Sequence, residues 1–120
     1  MRIKIVDPKI IQSAGNKPKK IEEFVGLVAT GDSAVSVARM LSPVGWIEPA
    51  QTPEFDEYTV VLRGELHVRV DDETQVIRAG QAVVVPKGVR VQYSTPKGRG
   101  AEYVAVCLPA FSPELVHRES

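Results

Sequence analysis

Glu57 is the side chain with the clearest capacity for chemistry in this 120-residue chain. It opens a run of strand-forming residues, 58–62, and strand alternation places its side chain on the same face as Thr59 and Val61. Burial among apolar neighbours raises the pKa of a carboxyl group, because it disfavours the charged form, and such a group can act as acid or base near neutral pH. An equally good interpretation makes Glu57 a structural residue, paired with Arg39 or with a tyrosine hydroxyl.

Short strands separated by turns must position this carboxyl group. Apolar and polar residues alternate in bursts between residues 21 and 109, and turn residues interrupt them roughly every ten positions. Gly64 ends one burst, residues 71–72 form a polar turn, and residues 86–88 suit a type I turn. No long segment carries a helical period. Many short strands with regular turns indicate a β-sandwich or a closed barrel.

The two ends of the chain predict elements of a different kind. Asp7 and Pro8 suit the cap and the first position of a short helix that would extend to Ile11. Ser112 suits the cap of a second short helix that begins with Pro113. We therefore divide the chain into three parts: an N-terminal arm (1–20), a β-barrel (21–110) and a C-terminal tail (111–120).

The charge balance gives no reason to expect a polyanionic partner. Fifteen basic and fifteen acidic residues give a net charge of zero, which predicts neither nucleic-acid nor membrane binding. The one basic cluster, Lys17, Lys19 and Lys20, is followed by Glu22 and Glu23, and we interpret it as a solvated segment. No apolar run approaches the roughly 20 residues that a membrane span needs. A single cysteine and the lack of a signal-peptide pattern predict a cytoplasmic protein.

Two sets of intervals resemble the two conserved motifs of the cupin superfamily. They are Gly45, Gln51, Pro53, Glu57 and Gly64 in the first half, and Gly80, Pro86, Gly88 and Val91 in the second. Glycine allows the positive φ angles that tight barrel corners need, and proline fixes φ at the entry to a turn. The resemblance covers about residues 35–108. It implies an all-β fold of the cupin type, a double-stranded β-helix or jelly-roll barrel.

Within the superfamily, five short segments resemble the ethanolamine-utilization protein Q group. These segments are 56–57, 64–66, 85–88, 94–96 and 108–110. The resemblance implies a cytosolic and usually dimeric barrel, associated with bacterial small-molecule metabolism. Apolar residues on both faces of the strands agree with a homodimer, because they leave surface to cover.

The same resemblance implies where a metal would bind. Metal-binding cupins use two histidines and a glutamate of the first motif and one histidine of the second, and the corresponding residues here are Gln51, Pro53, Glu57 and Val91. Only the glutamate is retained, whereas first-row metals normally need three or four imidazole, carboxylate or thiolate ligands. We therefore expect no cofactor. If a divalent metal does bind, Glu57 and Gln51 are its predicted ligands.

Five side chains are candidates for ligand binding. Gln51 and Glu57 would supply polar contacts inside the barrel, and the Tyr93 phenol would either donate a hydrogen bond to a ligand or fill space with its ring. Arg39 could clamp a carboxylate or phosphate, and its alternative is an exposed strand residue. Trp46 could wall the mouth of the cavity, or it could belong to the core or to a subunit interface.

Three functions are consistent with these residues. The preferred hypothesis is a small cytosolic cupin that binds a small polar metabolite in its barrel. The second is a metabolic enzyme, an isomerase, lyase or group transferase, that uses Glu57 or an unusually ligated metal. The third is a non-catalytic dimeric accessory subunit whose cavity is filled by its own side chains. A fold alone does not choose among them.

Overall fold

The computed structural model describes residues 3–120, which form eight β-strands and one short helix. The strands are β1 (Lys9–Ile11), β2 (Lys20–Val25), β3 (Ser36–Ser42), β4 (Asp56–Val70), β5 (Glu73–Arg78), β6 (Ala82–Val85), β7 (Gln92–Ser94) and β8 (Ala101–Leu108), and the helix is α1 (Pro113–Val116). Every pairing between these strands is antiparallel. The prediction of an all-β cupin-type barrel is confirmed.

Strand β4 joins the two halves of the barrel. The strand order is β1-β2-β3-β8-β4-β5, and β6 and β7 also pair with β4. The first half of β4 pairs with β8 and β6, whereas its second half pairs with β5 and β7. One long strand of 15 residues therefore belongs to both sheets of the jelly roll.

A glycine corner allows β4 to pass from one sheet to the other. The register with β8 shifts between Val61 and Arg63, and the following Gly64 has a φ of 75°. A Cβ atom at Gly64 would lie 1.9 Å from the carbonyl oxygen of Gly100. The turn role predicted for this glycine is thus explained both by its backbone conformation and by the close approach of a neighbouring strand.

Two apolar clusters form the core. The larger lies between the sheets around Trp46, Val61 and Leu66, which are fully buried. The smaller lies around Phe55 and Val116, near the C-terminal tail. Residues of both clusters line a common cavity, so this cavity lies between them.

The chain ends agree only in part with the sequence analysis. The helix predicted from Asp7 to Ile11 is wrong, because residues 9–11 form β1, whose Ile11 pairs with Ile21 of β2. Pairing with an existing sheet edge supplies backbone hydrogen bonds that an isolated helical turn would lack. The C-terminal helix is confirmed, with Ser112 Oγ accepting a hydrogen bond from Leu115 N at 3.2 Å.

Within residues 3–120, no helix has the length and apolar character needed to cross a membrane. The division into arm, barrel and tail stays a prediction.

Candidate functional site

A cavity of about 60 Å³ lies inside the barrel. The inner faces of β2, β3 and β8 give it an apolar wall, which includes Ile21, Ala38, Met40 and Ala105. Polar side chains also line it from several elements: Gln12, Lys19, Glu23, Ser36, Glu48, Gln51, Glu57, Tyr93, Tyr103 and Arg118. One water molecule needs roughly 10–15 Å³ of such space, so the cavity suits a ligand of only a few non-hydrogen atoms.

Glu57 lies near the start of β4 and faces this cavity. Thr59 and Val61, which alternation placed on the same face, are 1% and 0% exposed. Burial of the carboxyl group, and after it the charge of Glu48, raises the pKa of Glu57 to about 7, while Lys19 is the strongest opposing influence. A carboxyl group that titrates there can give or take a proton near neutral pH.

Glu48 is a second cavity carboxyl group, which the sequence analysis did not single out. It lies between β3 and β4 and is only 5% exposed. Burial raises its pKa, and the positive charges of Lys19 and Arg118 counteract that increase. Glu48 and Glu57 interact, because the charge of Glu48 is one of the influences that raise the pKa of Glu57.

Gln51 and Tyr93 each bring an unpartnered polar atom to the site. Gln51 bridges to Val91 through two backbone hydrogen bonds of 2.8 and 2.9 Å, which holds it at the cavity wall. Its Oε1 atom and the hydroxyl oxygen of Tyr93 are buried, and neither has a hydrogen-bond partner of acceptable geometry within residues 3–120. The Tyr93 hydroxyl nevertheless lies close enough to Glu57 to lower the pKa of that carboxyl group. The amide oxygen is available to a ligand in the cavity, whereas the phenol lies within the influence of Glu57.

Lys19 contradicts the interpretation of the basic cluster as a solvated segment. Its Nζ atom lies 4.1 Å from the ring centroid of Trp46 and donates a hydrogen bond to Tyr103 Oη at 3.1 Å. Its neighbours remain outside: Lys17 Nζ donates to the carbonyl of Val44, and Lys20 has a 54% exposed side chain. The cluster thus divides, because only Lys19 lines the cavity.

Trp46 is a core residue, one of the alternatives that the sequence left open: it is fully buried in the larger core cluster and does not line the cavity. Its indole Nε1 donates a hydrogen bond to the carbonyl of Ala14 at 3.2 Å, and its ring makes a cation–π contact with the Lys19 ammonium group. The N-terminal arm therefore contacts Trp46 through both Ala14 and Lys19, and these contacts position Lys19 at the cavity.

Arg39 also lies outside the cavity, which agrees with its alternative interpretation as an exposed strand residue rather than with a contact to a ligand there. The residues of β3 that face inward are Ser36, Ala38 and Met40, and alternation sends Arg39 to the outer face. There its Nε atom lies 3.1 Å from Glu22 and 3.5 Å from Glu102. The alternative pairing of Arg39 with Glu57 is excluded for the same reason.

The two ends of the chain close the cavity. Ile11 of β1 lines it from the N-terminal side, and Arg118 lines it from the C-terminal tail. The tail is held in place by a hydrogen bond from Glu119 N to the carbonyl of Ala50 at 2.9 Å. The Glu119 carboxylate also accepts two hydrogen bonds from the Arg90 guanidinium, at 2.6 and 2.8 Å.

Cys107, the single cysteine, lines the same cavity from β8. It is 5% exposed, and burial, followed by the nearby charge of Glu57, raises the pKa of its thiol. A thiol of this kind stays protonated at neutral pH and is a poor nucleophile.

Comparison with known proteins identifies the family. The Cupin_2 family, described as a cupin domain, matches residues 38–107, which is more than half of the chain. The chain is a cupin. Among cupins it belongs with the EutQ-like group, to which it is similar in both sequence and fold.

Two curated relatives contain a region similar to this cupin. It is 51% identical over 102 residues to the endoribonuclease YbeY of Myxococcus xanthus, an alignment that covers 85% of the chain and 35% of that protein. It is 37% identical over 86 residues to the acetate kinase EutQ of Escherichia coli, covering 68% of the chain and 36% of that protein. The cupin therefore spans about a third of the length of these relatives.

A solved structure shares the fold. It is an ethanolamine utilization protein Q from Salmonella typhimurium, with a TM-score of 0.69 and 22% identity, and the match covers 90% of this cupin and 100% of that chain. At this identity the likeness concerns the fold alone.

The residues at the cupin metal positions do not fit a divalent metal. Gln51 and Glu57 face the cavity, whereas Val91 packs in the larger core cluster and Pro53 has no side-chain donor. Within residues 3–120, no three His, Cys, Asp or Glu side chains come together in a way that could hold a metal ion. One carboxylate and one amide oxygen are fewer ligands than a first-row metal takes. The expected lack of a cofactor stays a prediction.

The sequence held weak signals for two of the overlooked residues. Tyr103 alternates with Ala105 and Cys107, all of which face inward from β8. Glu48 lies three residues before Gln51, in the same first-motif segment. Nothing in the sequence marked Lys19, because its position depends on the path of the arm around Trp46.

Proposed function

We propose that this cupin binds a small polar metabolite in its barrel cavity, with Glu57 at the centre of the binding site. The observation that carries the proposal is that two buried polar atoms of residues that line the cavity with Glu57, Gln51 Oε1 and Tyr93 Oη, have no hydrogen-bond partner of acceptable geometry within residues 3–120. Buried polar atoms in proteins are nearly always hydrogen-bonded, because leaving one unpaired costs about 1–3 kcal/mol. A ligand with a donor for the amide oxygen and an acceptor for the phenol would satisfy both.

The name of one of the two curated relatives agrees with a role in small-molecule metabolism, whereas the other is named an endoribonuclease. The EutQ protein of Escherichia coli is called an acetate kinase, a name that applies to a protein of which this cupin covers 36%. We take from it only the size of the metabolite, which is consistent with a cavity of about 60 Å³. We also propose a cytoplasmic location, in keeping with a single, buried thiol.

We expect the Glu57→Ala variant to lose metabolite binding while keeping its fold. The probes are a panel of organic acids, alcohols, amides and amines with up to about six non-hydrogen atoms, screened by ligand-observed NMR. Compounds that bind the wild type should bind the variant at least about tenfold more weakly, since one hydrogen bond to a charged group contributes about 1.5–3 kcal/mol. Glu73→Ala, which removes an exposed glutamate of β5, is the matched control.

A panel in which no compound binds the wild type would overturn the proposal. Equal binding to the wild type and to Glu57→Ala would leave the cavity as a binding site but remove Glu57 from its centre.

Acid–base catalysis is the second candidate function, and the pair of cavity carboxyl groups favours it. Glu57 has a pKa of about 7 and lies near the second carboxyl group of Glu48, so the pair can hold or release a proton at neutral pH. Turnover of a bound compound, with a pH profile that changes in Glu57→Gln, would distinguish an enzyme from a binding protein.

We propose that the cupin is a homodimer, with the outer face of β4 at its interface. Tyr58, Val60 and Leu62 point outward from this strand and are 39%, 45% and 47% exposed. Val84 of β6 lies opposite Tyr58 and is 57% exposed, and Leu108 of β8 is 40% exposed. A contiguous apolar strip of this kind is typical of a surface that a second subunit covers.

The Leu62→Arg variant is expected to be monomeric, because a charge buried in an apolar interface destabilises the association. Analytical ultracentrifugation of the wild type and the variant measures the mass directly. Thr74→Arg on β5 introduces the same charge at an exposed position elsewhere and should remain dimeric. A wild type that sediments as a monomer would overturn the proposed interface.

A further inference from the structure

We propose that Lys19 supplies the positive charge that a metal supplies in other cupins, and that it binds a negatively charged oxygen group of the ligand. This inference rests on the proposed function, since it assigns a ligand class to the same cavity. It starts from the disagreement between the cupin metal positions and the side chains that occupy them here.

The cavity retains the carboxyl group of a cupin metal site but lacks the histidines. Glu57 and Gln51 occupy two of the four positions with side chains that face the cavity, while Val91 and Pro53 contribute no donor. Such a site would hold Glu57, whenever it is ionised, with no cation to balance its charge, which is costly inside a protein. Lys19 lines the same cavity and provides that cation.

The position of Lys19 is fixed by contacts rather than left to a flexible side chain. Its Nζ atom lies 4.1 Å from the ring centroid of Trp46 and 5.5 Å from that of Tyr103, distances at which aromatic rings attract a cation. The Tyr103 hydroxyl, which accepts the hydrogen bond from Lys19, lies 2.9 Å from Ser42 Oγ. The backbone N–H of Lys19 donates a hydrogen bond to Ser13 Oγ at 3.3 Å, which holds the backbone just before the start of β2.

The ammonium group keeps donors free for a ligand. It has three N–H donors, and within residues 3–120 it makes one hydrogen bond and no ion pair with a carboxylate. The Tyr93 hydroxyl, which also influences Glu57, lines the same cavity and can supply another donor to a ligand. An ammonium and a phenol together match a carboxylate or a similar oxyanion, because charge-assisted hydrogen bonds are the strongest available.

Three carboxyl groups line the cavity, and their arrangement is compatible with an anionic ligand. Glu23 Oε2 accepts hydrogen bonds from the backbone N–H groups of Val28 and Ala29. Burial raises the pKa of Glu57 and of Glu48, which favours their neutral, protonated forms. Arg118 adds a second positive charge at the edge of the cavity. A ligand with an ammonium group would instead meet two like charges.

The test compares three probes of similar size and different charge: propionate, propionamide and propylammonium. Binding is measured by NMR titration at pH 7 for the wild type, Lys19→Met, Lys19→Arg and the matched control Lys20→Met, whose side chain is exposed beside Glu22. We expect the wild type and Lys20→Met to bind propionate at least about tenfold more tightly than either other probe. Lys19→Met should lose that preference, and Lys19→Arg should retain it.

Propionamide or propylammonium binding as tightly as propionate would overturn the inference, and so would unchanged propionate binding by Lys19→Met. Absence of propionate binding to the wild type would also overturn it. The wider metabolite panel distinguishes this failure from failure of the proposed function, since other compounds would then still bind in a Glu57-dependent way. A two-dimensional NMR spectrum establishes that each variant is folded, and Lys19→Arg tests the charge independently of Lys19→Met.

Discussion

Replacing Gly64 with alanine is expected to destabilise the cupin by about 4 kcal/mol or more, or to prevent it from folding. Two effects add at this corner of β4. A φ of 75° costs a non-glycine residue roughly 1–2 kcal/mol, and the new Cβ atom would lie 1.9 Å from the carbonyl oxygen of Gly100. The clash involves backbone atoms of a neighbouring strand, so β4 and β8 would have to separate.

The chain contains a matched control for this prediction. Gly80 has a φ of 87°, but a Cβ atom there would have no neighbour within 4 Å. Gly80→Ala therefore measures the conformational cost alone, including the change in entropy of the unfolded chain that both variants share. Urea unfolding of the two variants gives the cost of the clash by difference. Equal free energies of unfolding would show that the strands yield at Gly64 and that the close approach is not essential.

The Glu57→Gln variant is expected to be more stable than the wild type at pH 8, by roughly 3 kcal/mol, and similar to it near pH 4. Burial of the carboxyl group raises its pKa from 4.5 in the unfolded chain to about 7 in the folded protein. The folded state therefore binds a proton more tightly than the unfolded state. Stability is lost as the pH rises from about 4.5 to about 7, and the full penalty persists above that range. Glutamine remains neutral and avoids the penalty.

Urea unfolding at several pH values between 4 and 8 measures this difference. Glu73→Gln removes an exposed carboxyl group from β5 and should follow the wild type at every pH. The groups that act on Glu57 are Glu48, Lys19, Tyr93 and Arg118, all of which the variant retains. A Glu57→Gln curve parallel to that of the wild type would mean that the carboxyl group is solvated in the folded protein. A confirmed result would show that the cupin keeps a destabilising residue in its cavity, as expected of a binding or catalytic group.

The sequence predicted the barrel well because its signals are local. Strand alternation placed Glu57 with Thr59 and Val61, and it also accounts for the inward positions of Tyr103 and Cys107. The turn at Gly64 was predictable because the ability to adopt a positive φ depends on the residue type at that one position. Ser112 marked the last helix in the same way.

The sequence predicted the cavity less well because its polar side chains are brought together by distant segments. The arm that carries Lys19 is held near the site by the hydrogen bond between Trp46 and Ala14. These residues are 32 positions apart in the sequence, so no local pattern could have predicted the contact. The charge of Arg39 suggested a ligand, but strand alternation places it on the outer face, as its alternative interpretation predicted. The N-terminal helix failed for a related reason, because the edge of β2 was free to pair with residues 9–11.

The position of Cys107 gives this cupin a built-in reporter. Its thiol is the one cysteine side chain of the sequence, and it lies in the cavity wall rather than on the surface. A maleimide or a fluorinated alkylating agent must therefore enter the barrel before it can react. The rate of labelling therefore measures how often the cavity opens, and a compound that occupies the cavity should slow the labelling.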